Sequence, residues 1–257
     1  MLSVLQNWAK GVVQELQEYM ILQVETIKRT ASRPFYYVDI VRQFEQIGLG
    51  SMTVVLLTGF FTGAVLALQF GLTLDTFGAR PFVGRLVSAA MVKELGPVLT
   101  GLMLAGRIGS GIAAELGSMV VTDQINALRA LGTDPVRKLV VPRVLAGFFM
   151  APVLTIIADT VGIIGGWLIA VFQLRVASTL YWTSIHEGLY LQDAWMGLIK
   201  PFILGYVIVS IGCHVGLRAH GGTQGVGRAT TNAVVAASVS VIAVDFFVSR
   251  LIITLLY

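Results

Sequence analysis

From Gln46 to Leu74 the chain carries no Lys, Arg, Asp or Glu. A charge-free run of that length, coiled at 1.5 Å per residue, reaches across the roughly 30 Å hydrocarbon core of a bilayer. Four further apolar runs follow: Val87 to Ala114, Val144 to Leu174, Trp195 to Leu217 and Ala229 to Tyr257. Each is broken by at most three charges: Lys93, Glu94 and Arg107 in the second, Asp159 in the third, Lys200 in the fourth, Asp245 and Arg250 in the fifth. The runs are continuous, whereas a transmembrane β-strand alternates apolar and polar residues. Composition agrees, because 12% of the residues are charged and a soluble domain carries about 25%. Such a chain could not cover a water-facing surface, and it is too apolar for disorder. With Cys213 as its single cysteine it cannot be a disulfide scaffold.

The expected fold is an all-α polytopic membrane protein with five transmembrane helices over residues 46–257, preceded by an amphipathic interfacial segment over 1–45. Within the first segment Leu5, Trp8, Val12, Leu16 and Met20 recur at helical spacing, while Lys10, Glu15 and Glu18 fall elsewhere on the wheel. That pattern suits a helix lying in the membrane interface. Packing against the rest of the protein is the plainer alternative. A cleavable signal peptide is not expected, since the first basic residue is Lys10 and the opening stretch is amphipathic rather than apolar. Basic residues set the orientation. Lys10, Lys28, Arg29, Arg33 and Arg42 precede the first span; Arg129, Arg137 and Lys138 lie between the second and third; Arg218 and Arg228 lie between the fourth and fifth. The N-terminus is therefore expected inside and the C-terminus outside.

Charges inside spans are costly and should face a cavity or a partner. Lys93-Glu94 precedes Leu95-Gly96-Pro97, and the proline removes a backbone hydrogen bond, so a bend is expected beside the pair. Neighbours on a helix point about 100° apart, so the two side chains should not both pair along one stripe. A bend carrying a carboxylate and an ammonium could wall a headgroup site; alternatively the pair marks the outer interface, where Lys snorkels. Asp159 and Asp245 are expected to pair with Arg107, Lys200 or Arg250. The charges look isolated rather than converging. Gly59/Gly63 and Gly162/Gly166 are G-x-x-x-G pairs, which permit close helix packing.

Between the second and third spans, Thr122 is the expected N-cap, Asp123 complements a helix N-terminus, and Gly132 ends the helix. Ile125, Leu128 and Leu131 would share one face of about nine residues. A short helix held there could receive force from a soluble motor, or could be a loop helix with no partner. The run Gly221-Gly222-Thr223-Gln224-Gly225-Val226-Gly227-Arg228 is rich in glycine but lacks the spacing and lysine of a phosphate loop. Cys213 and His214 do not make a zinc site, and no Ser sits in a nucleophile elbow. A non-catalytic chain is expected.

Lys93-Glu94-Leu95-Gly96-Pro97-Val98-Leu99, Ala105-Gly106-Arg107-Ile108-Gly109-Ser110, Ala114-Glu115-Leu116-Gly117, Thr122-Asp123-Gln124, Asp134-Pro135, Pro142-Arg143 and Gly227-Arg228-Ala229-Thr230-Thr231 together resemble the MlaE (YrbE) family. These are permease subunits of ABC transporters that work with MCE-domain proteins. The resemblance runs from about Ser51 to the C-terminus. It implies a homodimer in a bacterial inner membrane, with two cytoplasmic ATPase subunits that bind the ATP and Mg. It also implies a periplasmic MCE-domain ring, allows for a small cytoplasmic STAS-domain protein, and involves no nucleic acid and no cofactor in this chain. The substrate implied is phospholipid moving between inner and outer membranes, which maintains outer-membrane asymmetry. A lipid path would be lined by Lys93, Glu94 and Pro97 with Leu66 and Gln69 of the first span. Thr122, Asp123, Gln124 and Leu128 would belong to a coupling helix at about 122–132, with Glu115, Asp134 and Arg137 contributing to the ATPase contact. The rival class is a self-contained secondary transporter or channel for a hydrophobic substrate, which predicts an inverted repeat and converging intramembrane charges.

Overall fold

A computed structural model describes the backbone over residues 2–30, 32 and 35–256, with side chains from Lys10 onward except those of Val12 and Leu256. Among these residues there are helices and no strand. An opening helix, α1 (Leu2–Thr30), leads into α2 (Tyr37–Asp75), the first span. The second span is compound: α3 (Val83–Ala90), a π turn at Met91–Leu95, α4 (Gly96–Leu104), a second π turn at Ala105–Gly109, and α5 (Ser110–Val121). After the short α6 (Gln124–Ala130) come α7 (Val141–Phe172), α8 (Ser178–Gly188), α9 (Leu191–Leu217) and α10 (Gly222–Leu256). Among the described residues five helical stretches are long and apolar enough to cross a membrane, as the charge map requires.

The boundaries shift by whole turns. α2 has 39 residues, about 58 Å, so it outruns the hydrocarbon core and carries Asp39, Arg42 and Glu45 beyond it. α10 starts at Gly222, which makes most of the glycine-rich run helical rather than looped. Where the bend is expected, just before Pro97, the helix widens into a π turn, an interruption at which helices kink.

Close backbone approach organises the bundle. α2 and α7 pack along their length through the two glycine pairs. A Cβ on Gly63 would fall on the carbonyl of Gly162, one on Gly59 would lie 2.7 Å from the Ala158 oxygen, and one on Gly166 would lie 3.2 Å from the Gly63 oxygen. Without Cβ atoms the helices gain van der Waals contact that lipid cannot supply. Two apolar clusters fill the space. The larger, on the α6 half, gathers Ile47, Leu116, Leu154, Leu204 and Ile208. The smaller, on the α8 half, gathers Val83, Val87, Met91 and Tyr181. Tyr181 donates to the Ile163 carbonyl at 3.0 Å, and burial pushes its phenol well above the ordinary value, which keeps it a donor.

Helix α1 turns polar side chains inward and an apolar stripe outward. Val13, Leu16, Met20, Val24 and Ile27 form an exposed stripe, while Tyr19 bonds Ser210 at 2.7 Å and Gln23 accepts from Tyr206. Arg29 reaches Asp134 at 2.9 Å. The helix therefore packs on α9 through its polar face and offers its apolar stripe to the surroundings, as an interfacial helix does. The side chains of Leu5, Trp8 and Val12 in the expected stripe lie outside those described.

Candidate functional site

The charges inside the second span do not stand alone. Lys93 Nζ lies 2.6 Å from Asp193 Oδ1, and Glu94 Oε2 lies 2.6 Å from Lys200 Nζ. Asp245 Oδ1 closes the group at 3.3 Å from the same ammonium. Five charges from α9, α10 and the π turn thus converge, contrary to the isolated charges expected from the sequence. Both members of the Lys93-Glu94 pair also find partners along α9, where the 100° argument allowed only one. Their partners, Asp193 and Lys200, lie seven positions apart on α9 and so share one face of it. Lys93 reaches one and Glu94 the other from within the π turn.

Local chemistry explains how a fully buried Lys200 is accommodated. Pro97 has no N–H for the Lys93 carbonyl four residues back. Lys200 takes that carbonyl instead, donating to it at 2.8 Å, so the ammonium has two carboxylates and one carbonyl around it. Asp193 is fixed from the other side, because its Oδ2 accepts the Tyr190 N–H at 3.1 Å in a capping box at the start of α9. Lys200 and Asp193 are enclosed, whereas the side chains of Glu94 and Lys93 remain 45% and 33% exposed. The network therefore has a buried back and an open front, and it holds three carboxylates against two ammonium groups.

The other expected neighbours divide. Pro97 is buried at the start of α4. Leu66 and Leu95 are both partly buried against the smaller cluster. Gln69 stands on the exposed face of α2. Asp245 pairs with Lys200 as expected, but Asp159 does not pair with any of the three cations proposed for it. Its carboxylate packs over Gly96, where a Cβ would collide with it, and its Oδ1 has no hydrogen-bond partner among the described residues. Arg107 instead donates to Ser51 at 2.8 Å over the bare Cα of Gly50. Sequence reading missed Asp193 altogether; its place three residues after Tyr190, in a helix's first turn, was the available signal.

The second candidate region lies at the opposite end, on α6. The expected N-cap Thr122 is not the cap. Its hydroxyl donates back to Ser118 at 2.8 Å, and Asp123 occupies the position with φ +57. The chain reverses between α5 and α6 through a left-handed residue, which Asp tolerates and a β-branched Thr does not. Asp123 in turn accepts from Asn126 at 3.0 Å, and Gln124 donates to Thr122 at 3.0 Å. The expected stop at Gly132 is present as a Schellman motif: with φ +73, Gly132 N–H bonds Arg129 O at 2.9 Å and Thr133 N–H bonds Leu128 O at 3.0 Å. The helix has seven residues rather than nine. Ile125 is buried and Leu128 half-buried against the larger cluster, but Leu131 falls beyond the last turn and is 80% exposed.

Glu115, Asp134 and Arg137 lie on the segments that flank this helix rather than on it. Glu115 holds Arg143 at 2.8 Å and ties α5 to α7. Asp134 accepts the Val136 N–H at 3.0 Å and carries the Arg29 contact from α1. Arg137 lies in the π turn Val136–Val140 and its N–H points to Asp134 at 3.5 Å.

Five spans, with a charged, half-open interruption inside one of them and a short helix on one connection, define a multi-pass membrane protein. Residues 40–251 match the family described as permease MlaE, and the chain belongs to that family. It is 42% identical over 219 residues to a probable ABC transporter permease protein of Rickettsia typhi, covering 85% of each chain. It is 35% identical over 213 residues to the intermembrane phospholipid transport system permease protein MlaE of Haemophilus influenzae, covering 82% of each. Trigalactosyldiacylglycerol 1, a chloroplastic protein of Arabidopsis thaliana, is 34% identical over 229 residues, or 89% of this chain and 65% of the relative.

Proposed function

We propose that this chain is the permease subunit of an ABC transporter that moves phospholipid between inner and outer membranes and so maintains outer-membrane lipid asymmetry. Support comes from the family match together with one observation: Glu94 and Lys93 are ion-paired side chains that stay partly exposed inside a span, braced from behind by Lys200 and Asp193. Half-exposed charge at membrane depth needs a cavity or a second polypeptide in front of it. A homodimer placing two such bends face to face would enclose that cavity. Glu94 would then accept hydrogen bonds from an amino or hydroxyl group of a lipid head, and Leu66 would line the acyl side.

Motive force would come from outside the chain. Helix α6, anchored by Ile125 and Leu128, would seat its outer edge of Asp123, Gln124 and Leu131 in a cytoplasmic ATPase, two copies of which bind the ATP and Mg. That places α6 and the N-terminus on the cytoplasmic side and the C-terminus outside, in a bacterial inner membrane. An MCE-domain ring would continue the path on the far side, and a small STAS-domain protein would sit with the ATPase.

The test is reconstitution. Co-expressed with its ATPase and MCE partners, the chain should purify as a complex that transfers labelled phospholipid between vesicles only when ATP is supplied. Glu94→Gln should slow transfer at least about tenfold while the complex stays intact. Transfer by the isolated chain without ATP would overturn the proposal, and so would a Glu94→Gln complex with wild-type transfer.

A further inference from the structure

The α6 half of the bundle holds a cavity that this transport path does not use. It is a groove of about 960 Å3 between α1, α9 and α10. On α10 its lining extends from Gly225 to Val244, about 28 Å at 1.5 Å per residue. The lining changes character along that length. Glu15, Arg218, His220, Arg228 and Asn232 stand at the α6 end, and Val207, Ile211, Val235 and Val244, with Ser240 as the one polar side chain on α10 among them, line the deeper part. Polar groups at one end and an apolar trough leading away describe an amphiphile set parallel to the spans.

The glycine-rich run builds the mouth. Gly221 and Gly222 have φ +88 and +70, and Gly225 lies so close to the His220 carbonyl that a Cβ would collide with it. This tight reversal starts α10 at the groove and brings Gly225 and Arg228, one turn apart on one helix face, to its mouth. Charge is uneven there. Arg218 is held by Glu18 at 3.1 Å, with Glu15 at 3.9 Å. Arg228 is exposed and makes no ion pair among the described residues. A guanidinium presents a planar fork that matches a phosphate. The roof is fixed, because Tyr19 bonds Ser210 and packs edge-on against His214 with ring centres 5.4 Å apart.

We propose that this groove binds one anionic phospholipid drawn from the leaflet on the α6 side, with its phosphate at Arg228 and an acyl chain along Val235 and Val244. A free phosphate would have no use for the deep trough. A partner's transmembrane helix would call for an apolar lining throughout rather than a cationic end. The site is separate from the Glu94 bend and opposite to it in sign, so it concerns a lipid held by the permease rather than the one carried past Glu94.

Native mass spectrometry of the full-length chain in detergent tests this, with phosphatidylglycerol and phosphatidylcholine of matched chains as probes. Phosphatidylglycerol should be retained in preference. Arg228→Glu should weaken its retention about tenfold, Arg228→Lys should restore most of it, and neither should change thermal unfolding because Arg228 is exposed. Ala236→Trp should block the trough and abolish retention with the mouth intact. Equal retention of the two lipids, or indifference to Arg228→Glu, overturns the proposal. Displacement by millimolar inorganic phosphate, with no effect of Ala236→Trp, would make it a free-anion site and also overturn it. So would Ala236→Cys crosslinking to another polypeptide in native membranes, since the groove would then hold a partner helix.

Discussion

The bend at Lys93-Glu94 and the reversal at α6 are both places where a long helical run is interrupted, yet they are finished in opposite ways. At the bend, every interruption is answered from inside the chain: the carbonyl freed by Pro97 goes to Lys200, and Lys200 goes on to Glu94 and Asp245. At α6 the backbone is capped at its end by Gly132, but the outer side chains are satisfied only by one another, as Gln124 with Thr122 and Asn126 with Asp123. One region spends its polar groups on holding helices together in a medium without water. The other keeps its outer edge uncommitted. Interior substitutions should therefore act on stability first, and α6 substitutions on association first.

The largest effect is expected at Lys200. Lys200→Met leaves Glu94, Asp245 and the Lys93 carbonyl without their shared cation, and removing one partner of a buried pair costs about 3–5 kcal/mol. Thermal unfolding in detergent should fall sharply, and Glu94→Gln with Asp245→Asn in the same chain should restore much of the loss. If Lys200→Met alone unfolds like the wild type, the bend does not depend on its ion pairs and the contrast with α6 collapses.

Next in size is Gly63→Val. The added side chain would meet the Gly162 backbone, which cannot swing aside, so α2 and α7 must part; overpacking of this kind costs about 1–3 kcal/mol. Gly106, which has nothing within 4 Å of an added Cβ, is the control, and Gly106→Ala should be neutral or slightly stabilising. Equal losses at the two positions would mean that the contacts between α2 and α7 are not backbone-limited.

Much of this layout is legible in the sequence. Charge-free runs longer than a bilayer is thick leave few alternatives, and the two G-x-x-x-G pairs announced the tightest helix contact, although not that they meet each other. Pro97 announced the bend. What escaped depends on distant pairing: Lys200 and Glu94 are separated by 106 positions, and one sequence carries no record of which helices become neighbours. Asp159 was expected to need a cation, but Gly96 offers it a niche without one. Thr122 and Asp123 are equally good caps by composition, and only the left-handed turn between α5 and α6 separates them. The Arg29 to Asp134 contact was hidden for a further reason: both residues lie where solvated charge is ordinary and nothing demands a partner.

A smaller effect belongs to Gly132→Ala. A Cβ at φ +73 costs about 1 kcal/mol or slightly more, and it falls on the Schellman turn rather than the bundle. Global unfolding should shift little, while hydrogen exchange over α6 should quicken. Uniform protection across α6 and α7 in the variant would show that α6 is held by its two anchors alone.

The smallest change in stability, and the most informative about association, is expected at Leu131. It is an 80% exposed leucine immediately after a helix whose two larger apolar residues, Ile125 and Leu128, face inward. Leu131→Ser should alter thermal unfolding by less than about 0.5 kcal/mol, because almost none of the side chain's area is buried in the chain. If the exposed edge of α6 seats in an ATPase, the same substitution removes an apolar anchor from that contact, and co-purification of the ATPase should drop severalfold. Asp123→Lys should add to the loss by reversing charge at the other end of the helix. A third outcome separates motor from membrane: if α6 merely lies against headgroups, Leu131→Ser should leave ATPase yield untouched while reducing partition of α6 into lipid. An unchanged yield in both variants would leave the edge of α6 without a protein partner, and the contrast between an inward-finished bend and an outward-facing helix would lose its functional meaning.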